Sequence, residues 1–213
     1  MSTVRPPAAA GAPPGSRDEQ LERYVGARVA ALQAGYRADR SAAVGALARL
    51  RRAVTTDPGA DPAVWAETLA GLPEPLMGRG DEPSAYERAA HSAITVFALH
   101  QQSQTTDMHR ADQGVGSAVR QLGQRTGADE AVRRRFHALG TASSFAEALH
   151  HLRGLVTQFR AAGIPLDYGR LARDLRRLQD PRTADRVRLA WGRDYHRATR
   201  PEDLDASTTT GEQ

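Results

Sequence analysis

The chain of 213 residues is long enough for one solid hydrophobic core or two small ones, and it contains no cysteine, which excludes disulfides and thiolate metal sites. Lysine and asparagine are absent, so all 29 basic residues are arginine and the net charge is +4. Codon bias in a GC-rich genome accounts for arginine in place of lysine, but it has no reason to sort charge along the chain. Residues 17–109 hold 10 arginines against 12 acids, whereas residues 110–200 hold 18 against 9. Residues 1–15 contain four prolines and lack the apolar run of a signal peptide, so they are expected to be a disordered leader on a cytoplasmic protein. Residues 201–213, with Glu202, Asp203, Asp205 and Glu212, are expected to be a disordered acidic tail.

Ser16 with Glu19 forms a capping-box pattern that opens a first helix, whose stripe is Leu21, Val25, Val29, Leu32 and Tyr36. A second helix is predicted from about Ser41 to Val54, with Val44, Leu47, Leu50 and Val54 inward. Asp61 and Pro62 suit the first positions of a short helix carrying Val64, Trp65 and Leu69. Residues 72–83 are irregular and lead, at about Asp81 to Ser84, into the stretch around which the fold is expected to form. Residues 89–106 carry no Asp, Glu, Lys or Arg, and their apolar arc covers most of a helix, which predicts a helix surrounded by other helices. Ser92, Thr95, His100, Gln101 and Gln102 are too polar for a membrane span.

Residues 104–114 are polar and predict a surface loop exposing Met108, His109 and Arg110. A helix over 115–124 follows, with Val115, Val119 and Leu122 inside. Thr126 with Asp129 suggests a box opening a helix with Val132, Phe136 and Leu139 inside and Arg133, Arg134 and Arg135 outside. The clearest pattern spans 144–162: Ser144 and Glu147 form the box, Phe145, Leu149, Leu152, Val156 and Phe159 the stripe, and Gly163 and Pro165 the stop. Asp167 caps a helix with Tyr168, Leu171, Leu175 and Leu178 inward. Asp180 and Pro181 begin the last, with Val187, Trp191 and Tyr195. The expected fold is an all-α bundle of about nine helices over residues 16–200, with a division into two sub-bundles near residue 106 left open.

The sequence offers no enzyme site. His91 and His100 fall on opposite sides of their helix and His150 and His151 point about 100° apart, so neither pair has the i, i+4 geometry of a helical zinc site. Gly114 and Gly116 lack the preceding strand and following Lys of a phosphate loop, and Ser144 is explained by capping. No cofactor, metal or small-molecule substrate is expected. The arginines remain. Arg170, Arg173 and Arg177 recur on one helix, and Arg182, Arg186, Arg193 and Arg197 on the next. Such stripes can follow successive phosphates, each guanidinium binding two oxygens. For any one arginine, pairing with Asp174, Asp185 or Asp194 on a solvated face is the simpler account. The excess of the whole set points to a nucleic-acid backbone. The rival is a freestanding helical adaptor whose arginines meet acidic proteins.

The run HSAITVFALHQQS at 91–103, the MHR at 108–110, VGSAVRQL at 115–122, the block at 143–175 and VRLAWGRDYHR at 187–197 resemble the CasB family. Its members are small subunits of the type I-E CRISPR surveillance complex, Cascade. The resemblance covers roughly residues 20–197. It implies a non-enzymatic all-α subunit, present in two copies beside the other Cascade subunits, whose basic surfaces hold guide RNA, target DNA and the displaced strand. Carried over by motif, Arg110, Arg120 and Arg133 to Arg135 would make those contacts. Gln121 stands where a second arginine is expected after Arg120, and Ala111 to Gln113 lack the family's proline.

Overall fold

The computed structural model describes residues 15–197, so most of the expected leader and all of the acidic tail lie outside the described residues. Nine α-helices are formed among them: α1 (Arg17–Arg37), α2 (Ser41–Arg52), α3 (Trp65–Thr68), α4 (Ala85–His100), α5 (Val115–Thr126), α6 (Asp129–Gly140), α7 (Phe145–Ala161), α8 (Tyr168–Leu178) and α9 (Pro181–His196). Three short 3₁₀ turns, at Ala53–Thr55, Pro62–Val64 and Glu74–Leu76, complete the path. No strand is present among the described residues, and no described helix is long and apolar enough to cross a membrane.

Local chemistry sets most helix starts. Ser16 accepts from the Glu19 N–H at 3.3 Å while Glu19 accepts from the Ser16 N–H at 2.9 Å. Ser84 and Glu87 repeat the box at the entry to α4, at 3.0 and 2.6 Å. Ser144, Asp167 and Asp180 cap α7, α8 and α9 as their positions predict, but the Ser144 and Glu147 box is only half formed, since Glu147 accepts from the N–H and hydroxyl of Ser143 instead, both at 2.7 Å. The Thr126 and Asp129 box does not form: Ala128 is the N-cap of α6, and Asp129 sits in the first turn, where its charge faces the positive end of the helix.

α4 is the hub. Every residue from Ala89 to Ala98 is buried, and the helix packs against α8, α2, α7 and α1. It is shorter than the uncharged stretch predicts, ending at His100 because Gln101 closes the next turn with its side chain. Gln101 Nε2 donates to the carbonyls of Gln104 (3.2 Å) and Thr106 (2.9 Å), and Oε1 accepts from the Met108 N–H at 3.2 Å. The loop beyond is consequently pinned. Met108 is 1% exposed, against the expectation of a free surface loop. His109 exchanges hydrogen bonds with Gln33 of α1, and an isolated parallel bridge joins it to Leu166. Arg110 alone of the three is exposed.

Two other inward assignments differ. Val44 is 36% exposed, lying about 60° round the helix from Leu47 on the shoulder away from Leu50. Trp65 is 46% exposed, since periodicity cannot settle the facing of a one-turn helix. The remaining stripes meet in one cluster of buried residues running from Leu21 of α1 to Trp191 of α9.

Candidate nucleic-acid interface

The arginine stripe of α8 lies in a seam between helices. Arg173 Nη1 meets Glu22 at 2.7 Å and Arg177 Nε meets Asp18 at 2.7 Å, with Arg176 Nε 3.5 Å from the same Asp18. Both acids belong to α1, so the pairs tie α1 to α8. Arg170 Nη2 reaches Asp194 of α9, a carboxylate 7% exposed, at 2.5 Å. Asp174 is buried too: it accepts from Trp191 Nε1 at 2.8 Å, and burial pushes its carboxyl up, against the pull of that N–H and of Arg173. The aspartates expected on a solvated face thus include two that serve the interior.

A second group of arginines closes the C-terminal ends of helices other than their own. Arg120 Nη1 donates to the carbonyls of Asp194, at 3.1 Å, and Arg197 at the end of α9. Arg125 donates to Ala162 after α7 (2.6 Å), Arg160 to Leu99 in the last turn of α4 (3.3 Å), and Arg188 to Ala142 after α6 (3.3 Å). Arg28 does the same for Ala70 after α3, and Arg153 for Val54 after α2. The last carbonyls of a helix lack intrahelical donors and carry the negative end of its dipole, so a guanidinium there satisfies both needs. Much of the positive excess of the second half is consumed in this way.

What is left is exposed. Arg133 and Arg134 share Glu130, at 2.8 and 3.4 Å, and Arg135 makes only a 3.5 Å bond to the Ala131 carbonyl of its own helix. Arg197 pairs with Asp194 at 3.4 Å while remaining 73% exposed. Arg110 donates to Gln113 in the loop tied to Leu166. Arg186 and Arg193 are exposed, and no ion-pair or hydrogen-bond partner holds either side chain among the described residues. Seven residues apart, they lie within about 20° of one line on α9, separated by a rise of about 10 Å. Exposed ion pairs contribute at most about 1 kcal/mol, so the hold of Glu130 on its two arginines is readily exchanged for a phosphate.

α6 approaches the end of α9 through a pair of aromatic rings. The Phe136 and Tyr195 rings lie 5.4 Å apart, and beside them Arg120, Gln124, Asp129, Glu130, Arg133 and Tyr195 line a cleft of 420 Å³. The structure therefore gathers Arg120, Arg133 and Arg197 at one place and leaves Arg110 and the α8 arginines apart; Arg186 and Arg193, about 180° and 160° round α9 from Tyr195, face away from the cleft. Gly116 permits the neighbouring packing of α5 on α9: a Cβ there would overlap the Trp191 carbonyl oxygen and lie 2.7 Å from the Tyr195 nitrogen. This close approach is the role of a glycine pair that only superficially resembles a phosphate loop.

The histidines of the hub are interior groups. His100 Nδ1 lies 2.8 Å from the Tyr168 hydroxyl, and burial lowers its pKa to about 3, with Arg160 acting in the same direction. His91 Nε2 lies 3.3 Å from the Ala53 carbonyl and its pKa is lowered by burial as well. No cluster of three His, Asp or Glu able to hold a metal occurs among the described residues.

The family model of CRISPR-associated protein Cse2 matches residues 46–196 of the chain. The crystal structure of CasB from Thermobifida fusca is 37% identical, covering 84% of this chain and 98% of that one with a TM-score of 0.71. CasB from Thermus thermophilus is 25% identical over 84% of this chain and 98% of that one, with a TM-score of 0.60. A chain of a CRISPR RNA-guided surveillance complex shares the fold at 24% identity, over 87% of this chain and 98% of that one, with a TM-score of 0.63. Among curated proteins no sequence matches. With the family model spanning most of the bundle, and with nine helices folded as in the solved CasB structures, the chain belongs to the CRISPR-associated Cse2 family.

Proposed function

We propose that this chain is a non-catalytic small subunit of the RNA-guided antiviral surveillance complex Cascade, binding nucleic-acid backbone through the arginines of α6 and α9. The observation that carries this reading is a set of exposed arginines that the fold holds weakly or not at all: Arg186 and Arg193, whose side chains no ion-pair or hydrogen-bond partner engages among the described residues, and the Arg133 to Arg135 triplet. Arg197 extends the same surface, and Arg110 adds a separate contact. Arg120, Arg170, Arg173 and Arg177 act through the fold, by capping α9 and by tying α8 to α9 and α1.

In such a complex, base pairing between guide RNA and target reads the sequence, and protein holds backbones. Exchange of a DNA duplex for an RNA–DNA heteroduplex is nearly balanced in free energy, so a positive surface that binds the displaced strand shifts it toward the open R-loop. Apart from Tyr195 at the cleft, few aromatic rings accompany the exposed arginines, which suits sequence-independent contact. The partners are the guide RNA, the target DNA, the other Cascade subunits and a second copy of this chain.

The test is R-loop formation by the assembled complex carrying Arg133, Arg134 and Arg135 changed to Glu. R-loop yield should fall while the bundle unfolds at its normal midpoint. Unchanged yield would reduce the triplet to solvated surface. Purification from the native host provides a second check, since a discrete guide-like RNA with large protein partners is expected, and its absence would favour a freestanding adaptor.

A further inference from the structure

We propose that the cleft between α6 and the end of α9 is a binding site for an unpaired guanine base of a nucleic-acid strand. The proposal adds a base contact to the backbone contacts described above and rests on that reading of the surface. Its basis is an acid and an arginine that ought to pair and do not. Asp129 and Arg133 both line the cleft and stand four residues apart on α6, the spacing at which an acid and a following arginine normally join. Arg133 turns instead to Glu130, at 2.8 Å. Asp129 lies back against α5, where a Cβ on Gly123 would overlap its Oδ1, so the missing side chain at 123 gives the carboxylate its place. No ion pair or hydrogen bond engages that carboxylate among the described residues. One wall of the cleft thus presents an acceptor and a donor, exposed and separate, and suits a ligand that offers the complement of both.

Guanine is such a ligand. Its N1–H and N2 amino group lie side by side and donate to the two oxygens of one carboxylate, while O6 and N7 accept from one guanidinium fork. No other common base makes the first contact: adenine and cytosine place an acceptor beside their single amino group, and thymine and uracil hold one N–H between two carbonyls. The cleft volume of 420 Å³ falls within the range of about 300 to 1,000 Å³ found for small-ligand sites. Tyr195 supplies an aromatic wall that Phe136 holds in place, and the exposed Gln124 amide, which no hydrogen bond engages among the described residues, lines the same space. Arg120 stays with the α9 carbonyls, and Arg197, 73% exposed, remains for an adjoining phosphate. Watson–Crick pairing consumes the N1–H and the N2 amino group, so only an unpaired guanine enters and the site selects single strand over duplex.

Binding of a fluorescent oligothymidylate is compared with that of the same strand carrying one central guanine. The guanine strand should bind about fivefold more tightly, at the low end for a bidentate base contact. Inosine at that position lacks the N2 amino group and should lose most of the gain with the protein unaltered. Asp129→Asn sets a donor beside its one acceptor and should bring the two affinities together; comparing strands within one protein cancels changes in net charge or folding. The matched ribose pair, one guanine in oligouridylate, identifies whether DNA or RNA supplies the base. An advantage in either backbone upholds the site, whereas equal affinities in both, or an advantage that survives inosine and D129N, would overturn it. Titration with GMP against UMP, followed on the NMR signals of Gln124 and Tyr195, separates the site from the surface around it. Signals shifted by GMP alone, with no strand bound, would uphold the guanine site and remove the backbone reading. Unmoved signals with guanine-independent strand binding would do the reverse, and neither binding nor shifts would remove both.

Discussion

Arg120 and Asp194 meet through the main chain: the guanidinium donates to the Asp194 carbonyl at 3.1 Å, while the Asp194 carboxylate is held by Arg170 at 2.5 Å. Arg120 is therefore a helix cap with a buried, unpaired Nε, and its removal should be felt in stability. Replacing it with Met should lower unfolding free energy by about 1.5 to 3 kcal/mol, the usual loss for a hydrogen bond to a charged group. Chemical denaturation measures this. Oligonucleotide affinity should stay within about twofold; a large loss of binding at unchanged stability would make Arg120 a phosphate contact after all.

Arg186 and Arg193 should behave in the opposite way. Changing both to Gln should leave stability within about 0.5 kcal/mol, as for surface positions with no fold contact. The log–log salt slope for single-stranded DNA should shrink in magnitude by about 1.4, at about 0.7 per lost phosphate contact. Titrations over a range of salt concentrations give the slope directly, and an unchanged slope would take both residues off the binding surface.

Gly116 is a packing position on α5 pressed against the backbone of α9. Gly116→Ala places a methyl group against the Trp191 carbonyl, which cannot rotate aside as a side chain could. A destabilisation of about 2 to 3 kcal/mol is expected, in the range of overpacked cores. Thermal unfolding should show a drop of several degrees, and a rise, as for a simple helix-propensity gain, would contradict the tight crossing.

His100 makes stability depend on acidity. Its folded pKa of about 3 lies below the ordinary 6.5, so above pH 6.5 it is neutral both folded and unfolded and contributes no slope. As pH falls below 6.5 the unfolded chain takes up a proton that the folded chain refuses. Stability present above 6.5 is then lost progressively toward pH 3, by up to about 1.4 kcal/mol per pH unit. His91, also lowered, adds to the loss, and Asp174, raised, opposes it at the acid end. In denaturation midpoints followed from pH 7 to 4, His100→Gln should flatten the profile by close to one proton; an unaltered profile would assign the acid lability elsewhere.

What could be read from sequence was what is decided within a few residues. Ser16, Ser144, Asp167 and Asp180 act on N–H groups two or three positions away, so those helix starts and the number of helices were visible in the chain, whereas Pro83, which suited a first helical position, stands before the Ser84 cap. The length of α4 was not, because Gln101 bonds to its own turn instead of extending the helix, a choice composition does not reveal. The α8 stripe had the spacing of a phosphate track, but Arg173 and Arg177 find Glu22 and Asp18, more than 150 residues earlier, and Arg170 finds Asp194 of α9. The capping arginines left no local signal at all, since each donates to a helix other than its own. Arg186 and Arg193 stand in the α9 stripe that the spacing already showed; what the sequence could not show is that, among the described residues, no partner holds either side chain.

The guanidinium closures also bear on how the bundle comes apart. The ends of α3, α4, α6, α7 and α9 each take a donor from a different helix, as does the turn following α2. Completion of a helix end is therefore a property of tertiary assembly. Separation of α5 from α9 unseals the final carbonyls of α9, and separation of α7 from α4 unseals those of α4. Helix fraying and loss of packing are bound into one event, so the bundle should melt as a unit, with circular dichroism and tryptophan fluorescence tracing the same transition.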